Sequence, residues 1–468
     1  MKIKKLYDII IKVLKNEVFQ VFSIILFINL FSISYNPNFD MRWGGDAGNY
    51  WEIANDFSSD FAMSRPPLFS FIIYIGLKLS IFDWKYFILL FYSLLHSIMA
   101  LMFWRLFQKE KIAKIIAVPS IIIILVSPRI LYYKHDLSPE FLLSFLIFTL
   151  FYSIHKTVVS KSLDGDSVDH LIIWGILCGL CTLAKPIWLV FIFFLVVYKL
   201  LIIKRERYVK RIKSLSYLMC FYLLVIAPWQ LHLVKNFNQY TISNISTFAL
   251  NYITLRAGFF EDTEGTLLYD HIKKNEETFL IANDLSWEKF DAYLALKGEL
   301  KSSSEAAILL RNEKDFFLKG ISKNVFEYCS IQFSRYYKFF NSSFLALMEY
   351  YPHQGITLKE KIWPDIFVKI YLKLYRILYK YIIPISILFA FLHTLIKRDQ
   401  ISILLTIFII YYSLMCVFLS VQDSVITRFR VGIDPIIFSY FIFCFKDYLT
   451  NEKLDKYRLI IYSRLKEV

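Results

Sequence analysis

Uninterrupted apolar runs long enough to cross a bilayer set the first constraint on this chain. Ile401 to Val421 contains no charged residue, and Tyr86 to Phe107 contains one, Arg105. A helix needs about 20 such residues to traverse a hydrocarbon core of roughly 30 Å. Backbone polar groups find no partner in hydrocarbon, so runs of this kind fold as helices that close their own hydrogen bonds. Only 20% of the 468 residues are charged, and they cluster between the runs. A soluble domain carries about a quarter. With 57% hydrophobic residues and a mean hydropathy of +0.48, no soluble fold fits. The expected fold class is an all-α polytopic membrane protein.

The net charge of +15 does not point to nucleic acid. Basic residues stand where apolar runs end, as at Lys204, Arg205, Arg207, Lys210, Arg211 and Lys213. Charges so placed orient spans and hold cytoplasmic loops against anionic headgroups. Of six cysteines, Cys178 and Cys181 form a C-x-x-C inside an apolar run, which reads as small membrane residues rather than a redox pair.

The basic segment from Lys2 to Lys15 belongs in the cytoplasm, and an uncleaved first span, Val18 to Tyr35, leads out. The loop that follows is acidic, with Asp40, Asp46, Glu52, Asp56 and Asp60. Laying Pro66 to Phe82 along the outer interface returns the basic tail of the next span to the cytoplasm, and it is expected there rather than across the bilayer. Further spans follow from Tyr86 to Phe107, Ile115 to Tyr132, Phe141 to Ile154, Leu171 to Leu183, Ile187 to Leu201, Leu215 to Trp229, Tyr381 to Ile396, Ile401 to Val421 and Ile433 to Phe445. That gives about ten transmembrane helices with both termini cytoplasmic. Three parts result: residues 1–230, a transmembrane module with external catalytic loops; 231–365, a large external loop domain; and 366–468, a second transmembrane module. Lys369, Lys373, Arg376 and Lys380 recur at helical spacing and form a basic stripe for headgroups or an anionic lipid substrate.

The unusual polar residues all fall on the outer face. Asp46 lies among Gly44, Gly45 and Gly48, in a loop whose backbone can approach a ligand closely. Asp136 and Glu140 flank Ser138-Pro139 at a helix start, where a carboxylate is favoured by the helix dipole. Arg65, Lys185, Arg428 and Arg430 are outer-face cations that break the positive-inside trend. Single interfacial cations commonly snorkel to headgroups. Several on one face suggest a phosphate site.

In order and side these motifs resemble the GT-C superfamily of integral membrane glycosyltransferases, in particular the aminoarabinose transferase and protein O-mannosyltransferase group. The resemblance rests on Asp46 followed by Tyr50, Arg65-Pro66-Pro67-Leu68, Ser138-Pro139-Glu140, the Gly175 to Gly179 run ending in Lys185-Pro186, Ala227-Pro228-Trp229, and Arg428-Phe429-Arg430 before Pro435. It implies a sugar transferred from a polyprenyl-phosphate-linked donor to a glycan, lipid or protein acceptor at the outer face of the cytoplasmic membrane. By carry-over, Asp46 is the catalytic base, with Gly45 and Tyr50 in the same active-site loop. Arg65, Lys185, Arg428 and Arg430 hold the donor phosphate, and Asp136 or Glu140 binds acceptor or metal. The cofactor stays unknown, a divalent metal being one option. Two departures leave donor and acceptor open: Asp46-Ala47 replaces the Asp-Glu pair of mannosyltransferases, and Arg65-Pro66-Pro67 replaces a Lys-Pro-Pro. The alternatives are a lipid-linked glycan flippase or transporter, or a glycan polymerase or ligase. A flippase would line its path with ionisable residues, yet the spans hold chiefly His96 and His393.

Overall fold

The computed structural model describes residues 17–35, 41, 43, 46–79, 83–159, 168–202, 208–274, 305–341, 365–378, 381, 383–397, 400–418 and 432–444. Every regular element among them is a helix. The amino-terminal part comprises α1 (Glu17–Tyr35), α2 (Ala47–Asn55), α3 (Leu68–Leu79), α4 (Trp84–Lys109), α5 (Lys114–Leu125), α6 (Pro128–Lys134), α7 (Glu140–Val159), α8 (Val168–Ala184), α9 (Phe191–Ile202) and α10 (Tyr208–Phe237). Then come α11 (Ile245–Arg256), α12 (Leu267–Lys273), α13 (Glu305–Asn312), α14 (Lys314–Lys323) and α15 (Val325–Asn341). The carboxy-terminal helices are α16 (Asp365–Ile377), α17 (Ile383–Lys397), α18 (Gln400–Phe418) and α19 (Asp434–Cys444).

The all-helical, apolar class expected from the sequence is the one observed. The count of about ten spans is not established by helix length. Among the described residues, α4 and the Leu215–Phe237 part of α10 are long and apolar enough to cross a membrane alone. At 1.5 Å per residue the 26 residues of α4 reach roughly 39 Å. The pair α5 and α6, bent by 50° at their junction, makes a third candidate if taken as one span. Helix α3 has 12 residues and reaches only about 18 Å, well short of the hydrocarbon thickness.

The bend between α5 and α6 has an identifiable cause and a consequence. Pro128 opens α6 without an N–H to donate, and the Ser127 side chain caps the new helix at Ile130 N. The last carbonyls of α5 therefore lose intrahelical partners. Those of Ile122 and Ile124 are met by the backbone of Val126 and Ser127. Three others take side-chain donors: Tyr375 donates to Ile123 O at 2.6 Å, His96 to Leu125 O at 3.1 Å and Tyr371 to Val126 O at 2.6 Å. The break thus docks α16 through its tyrosine face. Its other face leaves Ile370, Lys373, Leu374 and Arg376 exposed, a mixture suited to headgroups and acyl chains. His96, singled out as a midplane residue, is an interhelical donor through Nε2. Lys380 lies outside the described residues.

Helices α8 and α10 approach most closely at Gly175 and Gly179. A Cβ on Gly175 would stand 2.5 Å from the Leu218 carbonyl, and one on Gly179 2.7 Å from Val225 Cβ. Backbones come this near in a membrane only where small residues face each other. Gly175→Leu is expected to push the helices apart and lower the thermal midpoint of the detergent-solubilised protein by many degrees, whereas Ile173→Ala, on an exposed face, should change it little.

Helices α11 to α14 carry a core of their own. Tyr252, Leu255, Phe260, Leu268, Ile272, Leu310 and Phe316 form one cluster, separate from the large core of the remaining helices. Asn251 is buried at its centre: its amide donates to the carbonyls of Leu310 and Glu313, and its oxygen accepts from Phe317 N. The Glu313 carboxylate caps α12 by accepting from Leu267 N and Leu268 N.

Candidate functional site

Four of the sequence-derived site residues resolve into two carboxylate–cation pairs. Asp46 stands at the start of α2, yet its side chain does not cap that helix. It turns instead to Arg65, accepting from Nη2 at 2.6 Å, with both side chains about one-fifth exposed. The Arg65 guanidinium also lies 6.0 Å from the Tyr50 ring, within cation–π range. Pro66-Pro67 ends the turn before α3 and restricts the backbone of Arg65. In the second pair Lys185, between α8 and the Pro186–Trp188 turn, donates to Glu140 at the first turn of α7. Here both partners are buried. A buried pair persists only with good geometry, because desolvation costs several kcal/mol per ion before the attraction is counted.

The two pairs belong to one region because an aromatic chain joins them. The Tyr50 ring meets Phe69 at 5.3 Å, Phe69 meets Tyr92 at 6.3 Å, and Tyr92 meets Phe141, next to Glu140, at 5.0 Å. The Tyr92 hydroxyl donates to the Ser138 carbonyl at 2.8 Å, inside the Asp136–Glu140 turn. Asp136, Glu140 and Tyr50 all lie within electrostatic reach of that hydroxyl. Asp136, Ser138 and Glu140 are all buried. Gly45, Arg428 and Arg430 lie outside the described residues.

Behind Asp136 sits a buried polar chain that the sequence reading did not assemble. Lys134 donates to Ser32 Oγ at 2.8 Å, and Ser32 Oγ stands 2.9 Å from His135 Nε2. The Ser32 hydroxyl has two lone pairs and one proton, so it accepts from Lys134 and either donates to the His135 ring or accepts from it. Burial, then the nearby Lys134 charge, push His135 down to about 3 from its ordinary 6.5. A histidine neutral in the folded state and protonated in the unfolded one costs stability as pH falls below about 6.5. The protein is expected to melt lower at pH 5 than at pH 7.5, and His135→Gln should narrow that difference; an unchanged difference would remove His135 from the account.

Two further features escaped the sequence reading. Arg129 and Asp434 form a fully buried pair at 2.6 Å, joining α6 to α19 across 305 residues. Arg311, on α13, lies within electrostatic reach of Arg65 and Asp60. Neither belongs to a local motif. Among the described residues, no group of three or more His, Cys, Asp or Glu side chains converges as a metal site.

Comparison with known proteins bears on the segment that holds most of this site. Residues 64–232 match the family model of the dolichyl-phosphate-mannose-protein mannosyltransferases. The match supports the resemblance over this segment, just over a third of the chain. The matched segment takes in Arg65, Asp136, Glu140 and Lys185, while Asp46 lies before it. No curated protein matches the chain by sequence. Among solved structures, the apo Archaeoglobus fulgidus oligosaccharyltransferase superposes with a TM-score of 0.46 at 14% identity, over 95% of this chain and 52% of that one. The same organism's oligosaccharyltransferase AglB, solved with an inhibitory peptide and a dolichol-phosphate, gives 0.47 at 14%, over 96% and 52%. ArnT from Cupriavidus metallidurans bound to undecaprenyl phosphate gives 0.34 at 13%, over 88% and 77%. The chain therefore spans about half the length of the archaeal enzyme.

Proposed function

We propose that this protein is a membrane glycosyltransferase that moves a sugar from a polyprenyl-phosphate-linked donor to a glycan, lipid or protein acceptor at the outer face of the cytoplasmic membrane. The observation that carries the reading is the pairing of a carboxylate with a cation twice, Asp46 with Arg65 and Glu140 with Lys185, three of the four within the matched segment. Such transfer needs a base for the acceptor hydroxyl and fixed positive charge where the lipid phosphate leaves. Asp46 is the base, Arg65 and Lys185 hold the phosphate, and Arg428 and Arg430 join them. Asp136 and Glu140 position the acceptor or a divalent metal. Tyr50 and Gly45 shape the loop around Asp46.

With this reading goes the arrangement expected from the sequence: both termini cytoplasmic, residues 1–230 and 366–468 in the membrane, and 231–365 outside as a cap. The separate hydrophobic core of α11 to α14 supports an independently packed external part. Glu140 holding Lys185 supports a cation kept in place for the phosphate.

The test is transfer of labelled sugar from a panel of polyprenyl-phosphate donors in membranes that contain the protein. Label appearing in an acceptor fraction only with the protein present is the expected result. Movement of the donor between leaflets with no acceptor and no transfer would replace the reading with a flippase. Lys185→Met is expected to lower transfer by about 10²–10³-fold, the usual cost of removing a fixed stabiliser of developing charge.

A further inference from the structure

Three tryptophans stand together beside Asp46. The Trp43 ring lies 6.4 Å from that of Trp51 on α2, at an angle of 59°, and 6.2 Å from that of Trp84, the first residue of α4, at 80°. Rings inclined in this way make a corner rather than a stack. The corner is open: Trp43 is 49% exposed and Trp51 37%. Single exposed rings are ordinary, but two side by side mark an interaction surface. Its place in the fold is fixed from two sides. Gly48, in the first turn of α2, faces the Trp43 indole, and a Cβ there would stand 4.0 Å from Nε1. Asp46 opens that same turn, its carbonyl accepting from Tyr50 N at 3.3 Å. On the other side the Asp83 side chain caps α4 by accepting from Lys85 N at 3.0 Å, which sets Trp84 at the helix start. Trp43 therefore lies against the turn whose first residue is the assigned base.

What such a corner can bind follows from its border. Glu52 and Asn55 are exposed on α2, one next to Trp51 and the other a turn further on. The Asn55 amide donates to the Trp51 carbonyl at 2.8 Å, which holds that side chain beside the ring. No lysine or arginine occurs on α2, and Lys85, after Trp84, is the neighbouring cation on α4. Tryptophans that only anchor a span at the interface need no carboxylate or amide beside them, and cations reaching for headgroups commonly accompany them. An acyl chain has no use for Glu52 and Asn55. A pyranose ring meets both features at once. Its axial C–H groups present an apolar face that packs on an indole, and its hydroxyls donate to a carboxylate or an amide oxygen.

We infer that Trp43, Trp51 and Trp84 form a binding corner for a sugar ring, with Glu52 and Asn55 as partners for its hydroxyls. The inference deepens the functional reading above and rests on it for the source of the ring, a saccharide acceptor or the sugar of the donor. The corner binds and orients, and it takes no part in proton transfer.

The experiment uses the full chain purified in a detergent without a sugar headgroup. Lipid-free mono- and oligosaccharides of hexose and N-acetylhexosamine units are titrated, and binding is read by saturation transfer to the sugar protons. Wild type, Trp51→Ala and Trp51→Phe are compared, with thermal midpoints as a check on folding. Phe326→Ala, which removes a 93% exposed ring on α15, is the control. The expected result is saccharide binding by wild type and the control that weakens about tenfold in Trp51→Ala, the scale of one aromatic packing contact. Trp51→Phe should recover most of the loss at an unchanged midpoint. In transfer assays Trp51→Ala should raise the KM of whichever substrate supplies the ring, acceptor or donor, and leave the other unchanged. Binding that is equal in wild type and Trp51→Ala, or absent from wild type, overturns the inference, and sugar transfer by that wild type would leave the functional reading intact. Trp51-dependent binding by a protein that transfers no sugar from any donor keeps the corner and removes the reading.

Discussion

Asp46→Asn is expected to reduce sugar transfer by about 10²–10⁴-fold, the span associated with a lost general base. Asparagine has nearly the same shape and can still accept a hydrogen bond from Arg65 through its oxygen, so the loop and the start of α2 should stay in place. What disappears is the capacity to receive a proton. The expected signature is a fall in kcat with little change in donor KM, because the donor phosphate is assigned to cations and not to Asp46. Asp46→Glu keeps the carboxylate but lengthens its reach, and partial activity is expected from it. Transfer at the wild-type rate by Asp46→Asn, measured in the same membranes at equal protein, would sink the assignment of the base. Should both variants lose donor binding as well, Asp46 acts through its pairing with Arg65 rather than on the acceptor.

The second large effect concerns stability. Removing one partner of the Arg129–Asp434 pair should destabilise the protein by about 3–5 kcal/mol, because the survivor is left charged and enclosed. Both side chains are essentially inaccessible, at 0% and 2% of their surface. Arg129→Leu and Asp434→Leu are each expected to reduce the yield of folded protein and lower its thermal midpoint markedly. The double variant Arg129→Leu/Asp434→Leu should recover much of the loss, since no orphaned charge remains. Retaining the ion pair in spite of its desolvation cost points to geometry as its purpose: it pins α19 to α6 close to the Asp136 turn. A double variant no better than the worse single one would show that each side chain matters for other contacts.

Much of the fold was legible in the sequence. The run expected as a span from Tyr86 to Phe107 lies in α4, which is long and apolar enough to cross, and the run from Phe141 to Ile154 lies within the helix α7. These agree because a run of apolar side chains and the need to close backbone hydrogen bonds are both local properties. Ile115 to Tyr132 was expected as one span and is instead a bent pair, broken where Pro128 removes a donor. The sequence contained that proline. Whether a proline bends a span or ends it depends on neighbours that meet the stranded carbonyls, here Tyr371, Tyr375 and His96. The residues expected at the outer face were named by type and order, without their pairing. Asp46 and Glu140 were read as separate from Arg65 and Lys185, whereas the structure makes each carboxylate the partner of a cation.

By itself the sequence determined the solvent of this protein and the kind of element it builds. Partition into a bilayer is a sum over neighbouring residues, and a chain rich in long apolar runs permits no other outcome. Tertiary structure alone decided which charges meet. Arg129 reaches Asp434 over 305 positions, and Lys185 reaches Glu140 over 45. Contacts at such separations follow from how helices pack and where bends place their ends, quantities that no window of sequence contains.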